Sequence, residues 1–185
     1  MLFRSITGLD EFDKVRQNID LLLTNKFHVK VNAVIMKNVN DHEIPDFIEW
    51  TRNQPLHVRF IEFMPFSGNH WDKEKVISHR EMLEFISHRF AYIKLGDGKN
   101  DTAKKYFVPG FKGTFAIIST MSEPFCSGCN RLRLTADGKM KNCLFSRGEA
   151  DILGTLRSGQ DVLPVIRQCI GEKAEALGEI GRAHV

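Results

Sequence analysis

The sequence predicts an α/β protein, with βα units around a parallel sheet or barrel followed by a smaller antiparallel subdomain. Three observations predict it. Short β-branched runs alternate with helical periodicities through the first half of the chain. That alternation stops at a polar, glycine-rich stretch, GDGKNDTAKK, residues 96 to 105. Beyond it YFVPG and TFAIIST lead, with no helix between them, into a stretch that holds three of the four cysteines.

From Glu11 to Lys26 the apolar residues Phe12, Val15, Ile19, Leu22 and Leu23 recur at helical spacing, which predicts a helix packed along one side. Val29 to Met36, within HVKVNAVIM, is short and β-branched, and predicts a strand. Alternation puts Val29, Val31, Ala33 and Ile35 on one face and Lys30, Asn32 and Val34 on the other. The second face borders solvent or lines a polar cavity. Asn40 and Asp41 are placed to cap a second helix with Pro45 in its first turn and Ile44, Phe47, Ile48 and Trp50 as its apolar side.

Leu56 to Met64 predicts a second strand, which embeds Arg59 and Glu62 among large apolar residues. The two charges have opposite parity, so a regular strand cannot aim both into one cavity. Either a bulge intervenes, or one of them sits at the strand end facing water. Ser78 and Glu81 form a capping box for a helix carrying Met82, Leu83, Phe85 and Ile86. FAYIKL is the third strand candidate. In such βα folds sites lie at the carboxyl ends of the strands, where Met36 and Met64 fall.

After Ser146 two helical stretches are expected, Ala150 to Leu156 and Val162 to Leu177. The expected organisation is one unit over 1–104, a second over 105–178, and a non-native tail, 179–185. That tail, EIGRAHV, resembles a translated sequencing adapter and is set aside. At 185 residues, 42% apolar and 26% charged, the chain has the composition of a soluble globular protein. A net charge of +3 suits a binder of anionic small molecules and is too small to argue for nucleic acid. No apolar run approaches the ~20 residues that cross a bilayer, and MLFRSITGLD lacks a signal peptide's apolar core. The expected setting is the cytoplasm.

Cysteines in such a setting point to metal or redox chemistry more than to disulfides. Cys126 and Cys129 form a CxxC, with thirteen residues between Cys129 and Cys143. Ala136, Asp137 and Gly138 supply turn chemistry between RLRLT and KMKNCLF. With those three residues as the loop, Thr135 pairs with Lys139, Arg133 with Lys141 and Arg131 with Cys143, while Leu134 faces Met140. A two-residue loop would pair Leu132 with Cys143 and mix apolar with charged partners. The first register brings three thiols together beside cationic side chains. Cys169 lies with Val162, Val165, Ile166 and Ile170 on an apolar helix side and reads as an inert core residue. Three ligands are one short of a closed zinc site or a fully ligated cluster. A zinc knuckle completed by a histidine and an iron-sulfur cluster with one open iron both stay open on spacing.

FCSGCNRLRLTADGKMKNCLF resembles the carboxy-terminal cluster motif of the radical S-adenosylmethionine GTP 3′,8-cyclases of molybdenum cofactor biosynthesis. FHVKVNAVIMKNVND and VRFIEFMPFSG resemble segments of the same family's barrel, so the resemblance covers residues 2 to 177. It implies the later βα units of a partial (β/α) radical SAM barrel, then an antiparallel, GTP-binding subdomain carrying an auxiliary 4Fe-4S iron-sulfur cluster. It also implies the family's chemistry. A first 4Fe-4S cluster cleaves S-adenosylmethionine, the 5′-deoxyadenosyl radical takes hydrogen from the ribose of GTP, and the ribose carbon attacks C8 of guanine. The enzyme is a lyase and its product is (8S)-3′,8-cyclo-7,8-dihydroguanosine 5′-triphosphate, the first step of molybdenum cofactor biosynthesis.

Carried over by position, the resemblance makes Cys126, Cys129 and Cys143 ligands of the auxiliary cluster, whose open iron contacts guanine. It makes Lys30, Arg131 and Arg133 contacts of GTP and Met64 a contact of S-adenosylmethionine, and Arg59 matches a further basic position. No catalytic acid, base or nucleophile is assigned. The family's CxxxCxxC and its terminal Gly-Gly segment have no match here. The chain therefore looks like an internal fragment, inactive alone, of an enzyme whose amino-terminal part holds the first cluster. GTP and S-adenosylmethionine are the expected partners, with neither nucleic acid nor membrane, and the full-length enzyme is expected to be a homodimer. The alternative is a zinc-knuckle binding module with a basic face.

Overall fold

The computed structural model describes residues 3–66, 68–146 and 148–176. It divides into two units between Glu123 and Pro124. The first begins with α1 (Phe3–Thr7) and α2 (Phe12–Thr24), then β1 (Lys30–Ile35), a 3-10 turn at Asp41–Glu43, α3 (Ile44–Trp50) and β2 (His57–Glu62). It continues through α4 (His79–Ser87), β3 (Ile93–Lys94), β4 (Lys104–Phe107) and β5 (Thr114–Ile118). The strands form one mixed sheet in the order β1-β2-β5-β4-β3. β1, β2 and β5 run parallel, whereas β4 is antiparallel to β5 and β3 to β4.

One face of this sheet is the core. Ile35, Val58, Phe60, Phe115 and Ile117 are buried on it, against Ile44 and Ile48 of α3 and Met82 and Ile86 of α4. Each is a branched or aromatic side chain at the parity that points inward, so burying them drives the sheet and helices together. The opposite face carries Lys30, Asn32, His57, Arg59 and Thr114, in register across three strands.

Two expectations are corrected here. FAYIKL contributes only the two-residue edge strand β3, and the third parallel strand is β5, from TFAIIST. Ile93 is 50% exposed and marks an edge, whereas Phe115, Ala116 and Ile117 are buried in succession, the pattern of a central strand covered on both faces. β4 and β5 both belong to the first sheet, ahead of the division at 123/124. Asn40 does not cap α3: its Oδ1 accepts from the Met36 amide at 2.8 Å and its Nδ2 donates to the Val34 carbonyl at 2.9 Å. It ties off the end of β1, and Asp41 accepts from the Asn38 amide instead of capping the helix.

The capping box of α4 is present, with Ser78 and Glu81 exchanging both bonds. Glu81 also accepts from Lys37 at 2.7 Å. That bond, followed by those from Ser78, brings its carboxyl from an ordinary 4.5 down to about 2. A depressed carboxyl stabilises above its unfolded value and loses that contribution as pH falls through the folded one. The side chain is 42% exposed, so solvent screens the effect. The stability gap between wild type and Glu81→Gln, read from urea midpoints, is expected to be open at neutral pH and to close between pH 4.5 and about 2. A gap that persists at the acid end would contradict this account.

The second unit holds a 3-10 turn at Cys126–Gly128, β6 (Arg133–Leu134), β7 (Lys139–Lys141), β8 (Ala150–Asp151), α5 (Ile152–Arg157) and α6 (Leu163–Gly171). β6, β7 and β8 form a separate antiparallel sheet. Ala150 and Asp151 are strand rather than helix, because the Asp151 side chain accepts from the Gly154 amide at 2.8 Å and starts α5 one residue later. α6 ends at Gly171, short of the expected Leu177, and Leu177 with the 179–185 tail lies outside the described residues.

Candidate functional site

In the first unit, Lys30 of β1 sits opposite His57 of β2, which sits opposite Thr114 of β5. One pleat along, Asn32 sits opposite Arg59 and its Oδ1 accepts from Arg59 Nε at 2.8 Å. Lys30 and Arg59 are thus brought to one face, and Asn32 fixes the direction of the guanidinium. His57 Nδ1 lies 2.6 Å from Thr114 Oγ1. Burial, followed by Arg59, Lys30 and Lys105, pushes the imidazole below its ordinary 6.5, so it stands neutral among cations at pH 7. His28, Lys30, His57, Lys112 and Thr114 line a cleft of about 200 Å³ at the amino ends of the parallel strands. Sequence reasoning did not single out His57, Lys105 or Thr114. The signal was present in parity, but it becomes readable only once the register of three strands is known.

Met64 lies just past the carboxyl end of β2, and its carbonyl accepts from Asn69 Nδ2 at 2.8 Å. Asn69 Oδ1 takes the Phe66 amide and Trp71 Nε1 donates to the Phe63 carbonyl, so the loop that carries Met64 is pinned from within. Lys30 stands at the opposite, amino end of the sheet. The two are separated by the length of a strand.

Glu62 overturns the expectation that a charge at the end of β2 faces water. It is fully buried and accepts from the Met121 amide at 2.6 Å, the Ser122 amide at 3.1 Å and the Ser122 hydroxyl. No bulge is needed, since β2 pairs without interruption from His57 to Glu62 and Arg59 simply takes the other face.

In the second unit the hairpin register is the expected one. Arg133 pairs with Lys141 and Leu134 with Met140, and the Thr135 amide donates to the Lys139 carbonyl at 2.8 Å. Gly138 allows it: φ is +79°, and any Cβ there would collide with Leu153. The strand pairing stops at Arg133 and Lys141, so Arg131 and Cys143 are not themselves a strand pair. Lys173 joins the arms there, donating from Nζ to the carbonyls of Arg131 and Asn142.

The three thiols are half-buried and none is in a disulfide. Arg131 Nη1 lies 3.3 Å from Cys129 Sγ, and its guanidinium stacks 5.2 Å from the centre of the Phe125 ring. Burial pushes the Cys129 thiol up, but the Arg131 amide, Lys173 and the Arg131 guanidinium more than offset it and leave the thiol below its ordinary 9.0. Lys141 is tied to Glu149 at 3.3 Å, which reduces the cationic character expected at that point. Arg133 is exposed and, among the described residues, holds no side-chain partner. Cys169 is buried at 6% exposure, with Sγ 3.8 Å from the Met140 carbonyl, and burial raises its thiol above the ordinary value.

Three cysteines on two arms are open to two metal readings. A zinc knuckle needs four donors about 2.0–2.3 Å from a single ion. An iron-sulfur cluster is a larger body whose thiolates bind separate irons, so they need not converge. Two arms with half-buried thiols, one of them within reach of the Arg131 guanidinium, fit the cluster.

Residues 56–178 match the family described as Molybdenum Cofactor Synthesis C. The chain belongs to that family. Relatives bearing molybdenum cofactor or cyclase names extend the match. The chain is 48% identical over 156 residues to molybdenum cofactor biosynthesis protein 1 of Drosophila melanogaster, covering 84% of this chain and 28% of that protein. It is 44% identical over 171 residues to the mitochondrial GTP 3′,8-cyclase of Arabidopsis thaliana, covering 91% and 44%. It is 39% identical over 181 residues to the GTP 3′,8-cyclase of Desulforamulus reducens, covering 92% and 55%. This member of the Molybdenum Cofactor Synthesis C family thus spans between about a quarter and just over half of these relatives' lengths.

Proposed function

We propose that this chain is the substrate-receiving part of a GTP 3′,8-cyclase, the enzyme that converts GTP to (8S)-3′,8-cyclo-7,8-dihydroguanosine 5′-triphosphate in the first step of molybdenum cofactor biosynthesis. Its first unit supplies later strands of a partial radical SAM barrel, and its second holds an auxiliary 4Fe-4S cluster on Cys126, Cys129 and Cys143. The observation that carries this is the hairpin register, Arg133 opposite Lys141, which places the CxxC arm and the Cys143 arm at the same end of one hairpin. Family membership and the names of the relatives support it.

A cluster held by Cys126, Cys129 and Cys143 would supply a Lewis-acidic iron towards the guanine. The chain's own residues do the rest of the holding. Arg131 donates towards Cys129 Sγ and offsets thiolate charge. Arg133 presents a planar fork of donors from an exposed strand end, suited to oxygens of the nucleotide. In the first unit Lys30 and the Asn32-oriented Arg59 hold phosphate oxygens, with neutral His57 as a further hydrogen-bonding group. Met64, on its pinned loop, contacts S-adenosylmethionine. The first cluster needs a CxxxCxxC that is not among these 185 residues. Among the described residues no helix is long and apolar enough to cross a membrane. The cytoplasmic setting and a homodimeric full-length enzyme belong to the same proposal, although the Arabidopsis relative is named as mitochondrial.

GTP binding to the anaerobically reconstituted chain tests this reading. Losing one charge-assisted contact costs about 1.5–3 kcal/mol, so Arg133→Ala is expected to weaken GTP binding roughly 10- to 100-fold with iron content unchanged. Equal affinity in the variant would remove Arg133 from the site.

A further inference from the structure

We propose that Lys173 is a positioning residue that sets the spacing between the two cysteine arms. The consequence for cluster retention rests on the cluster reading above, but the spacing itself does not. The β6–β7 ladder ends at Arg133 and Lys141, two residues short of Arg131 on one arm and of Cys143 on the other. Where the ladder stops, a single ammonium takes over. Lys173 Nζ donates to the Arg131 carbonyl at 3.0 Å and also to the Asn142 carbonyl. Arg131 follows Cys129 by two residues and Asn142 immediately precedes Cys143, so each carbonyl belongs to a cysteine arm. Two oxygens within hydrogen-bond reach of one nitrogen are no more than about 6 Å apart.

Lys173 is itself held in place. It lies two residues beyond α6, which is anchored where the Asn142 side-chain amide donates to the Cys169 carbonyl at 3.0 Å. Cys169, buried, lies against the Met140 carbonyl of β7. The ammonium is therefore fixed to the same hairpin it bridges, and its half-buried position limits competition from water. An ammonium has three donors and no acceptor, so it can satisfy two main-chain carbonyls at once. Without it, the strand pairs further down the hairpin remain, but this link beyond the end of the ladder is lost.

The test compares Lys173→Met, which keeps the stem and loses the donors, with Lys173→Arg, which keeps a cationic donor. In the metal-free chain, amides at 131–133 and 141–143 are expected to exchange hydrogen about tenfold faster in Lys173→Met, with unchanged helical circular dichroism and with most of the protection restored in Lys173→Arg. After loading with ferrous iron and sulfide, Lys173→Met is expected to lose iron to a chelator about tenfold faster. Unchanged exchange at those amides overturns the proposal. Faster exchange in a chain whose wild type takes up no iron leaves the spacing role standing and removes the cluster reading instead. Lys173→Gln, with two donors on a shorter stem, serves if the Met variant does not fold. Intermediate exchange is expected there, and wild-type exchange overturns the proposal equally.

Discussion

Anaerobic reconstitution of the wild-type chain is expected to yield about four irons per chain, and Cys143→Ser less than one. Cys143 is the sole thiol of its arm, so its loss leaves two ligands from the CxxC turn. A serine hydroxyl is harder and far less acidic than a thiol, and soft thiolate donors are what iron-sulfur clusters select. Folding should survive, because Cys143 is half-buried and sits outside the paired strands. Cys169→Ser is the internal control: that thiol is buried against Met140 and is expected to leave iron content unchanged. Iron and zinc are measured together. One tightly held zinc per wild-type chain, with no iron, would sink the cluster assignment and return the knuckle.

Much of this arrangement was legible in the sequence, and the reasons differ between elements. The hairpin was readable because three loop residues ending in Gly138 admit one register that separates charged from apolar partners, and that register is the one observed. The polar face of β1 was readable from alternation, which set Lys30 and Asn32 apart from Ile35. The place of β5 was not, because order in the chain does not fix order in the sheet: β5 inserts between β2 and β4 although β3 and β4 separate it from β2 in the chain. Glu62 was misjudged for a related reason. Its hydrogen-bond donors come from Met121 and Ser122, about sixty positions away, and nothing local to β2 announces them. Lys173 gave no signal at all, since it recognises main-chain carbonyls, which every residue carries.

Glu62 also carries the second large effect. Replacing it with alanine is expected to destabilise the first unit by about 3–5 kcal/mol, since three neutral donors are left without an acceptor at about 1–3 kcal/mol each. Three donors lose their acceptor at once: the Met121 and Ser122 amides and the Ser122 hydroxyl. The consequences extend along the segment they hold. The Ser122 hydroxyl also accepts from the His79 amide at 3.1 Å. The His79 ring lies 2.9 Å from the Tyr106 hydroxyl and 3.0 Å from Glu123, which is paired in turn with Lys104. Burial raises the Tyr106 hydroxyl to about 12, so at neutral pH it stays protonated and hydrogen-bonds His79 as a neutral group. Glu62 thus anchors residues 121–123 to the end of β2, the strand end that leads into the Met64 loop. Urea unfolding of wild type, Glu62→Ala, Ser122→Ala and the double variant gives the coupling directly. The single Glu62 variant should cost the larger share, because Ser122→Ala removes only one of the three donors, and the double variant less than the sum of the singles, because both break the same hydroxyl–carboxylate bond. A loss below about 1 kcal/mol in Glu62→Ala, within the range of ordinary surface substitutions and small rearrangements, would mean that water or another donor set replaces the carboxylate and that the segment is held elsewhere.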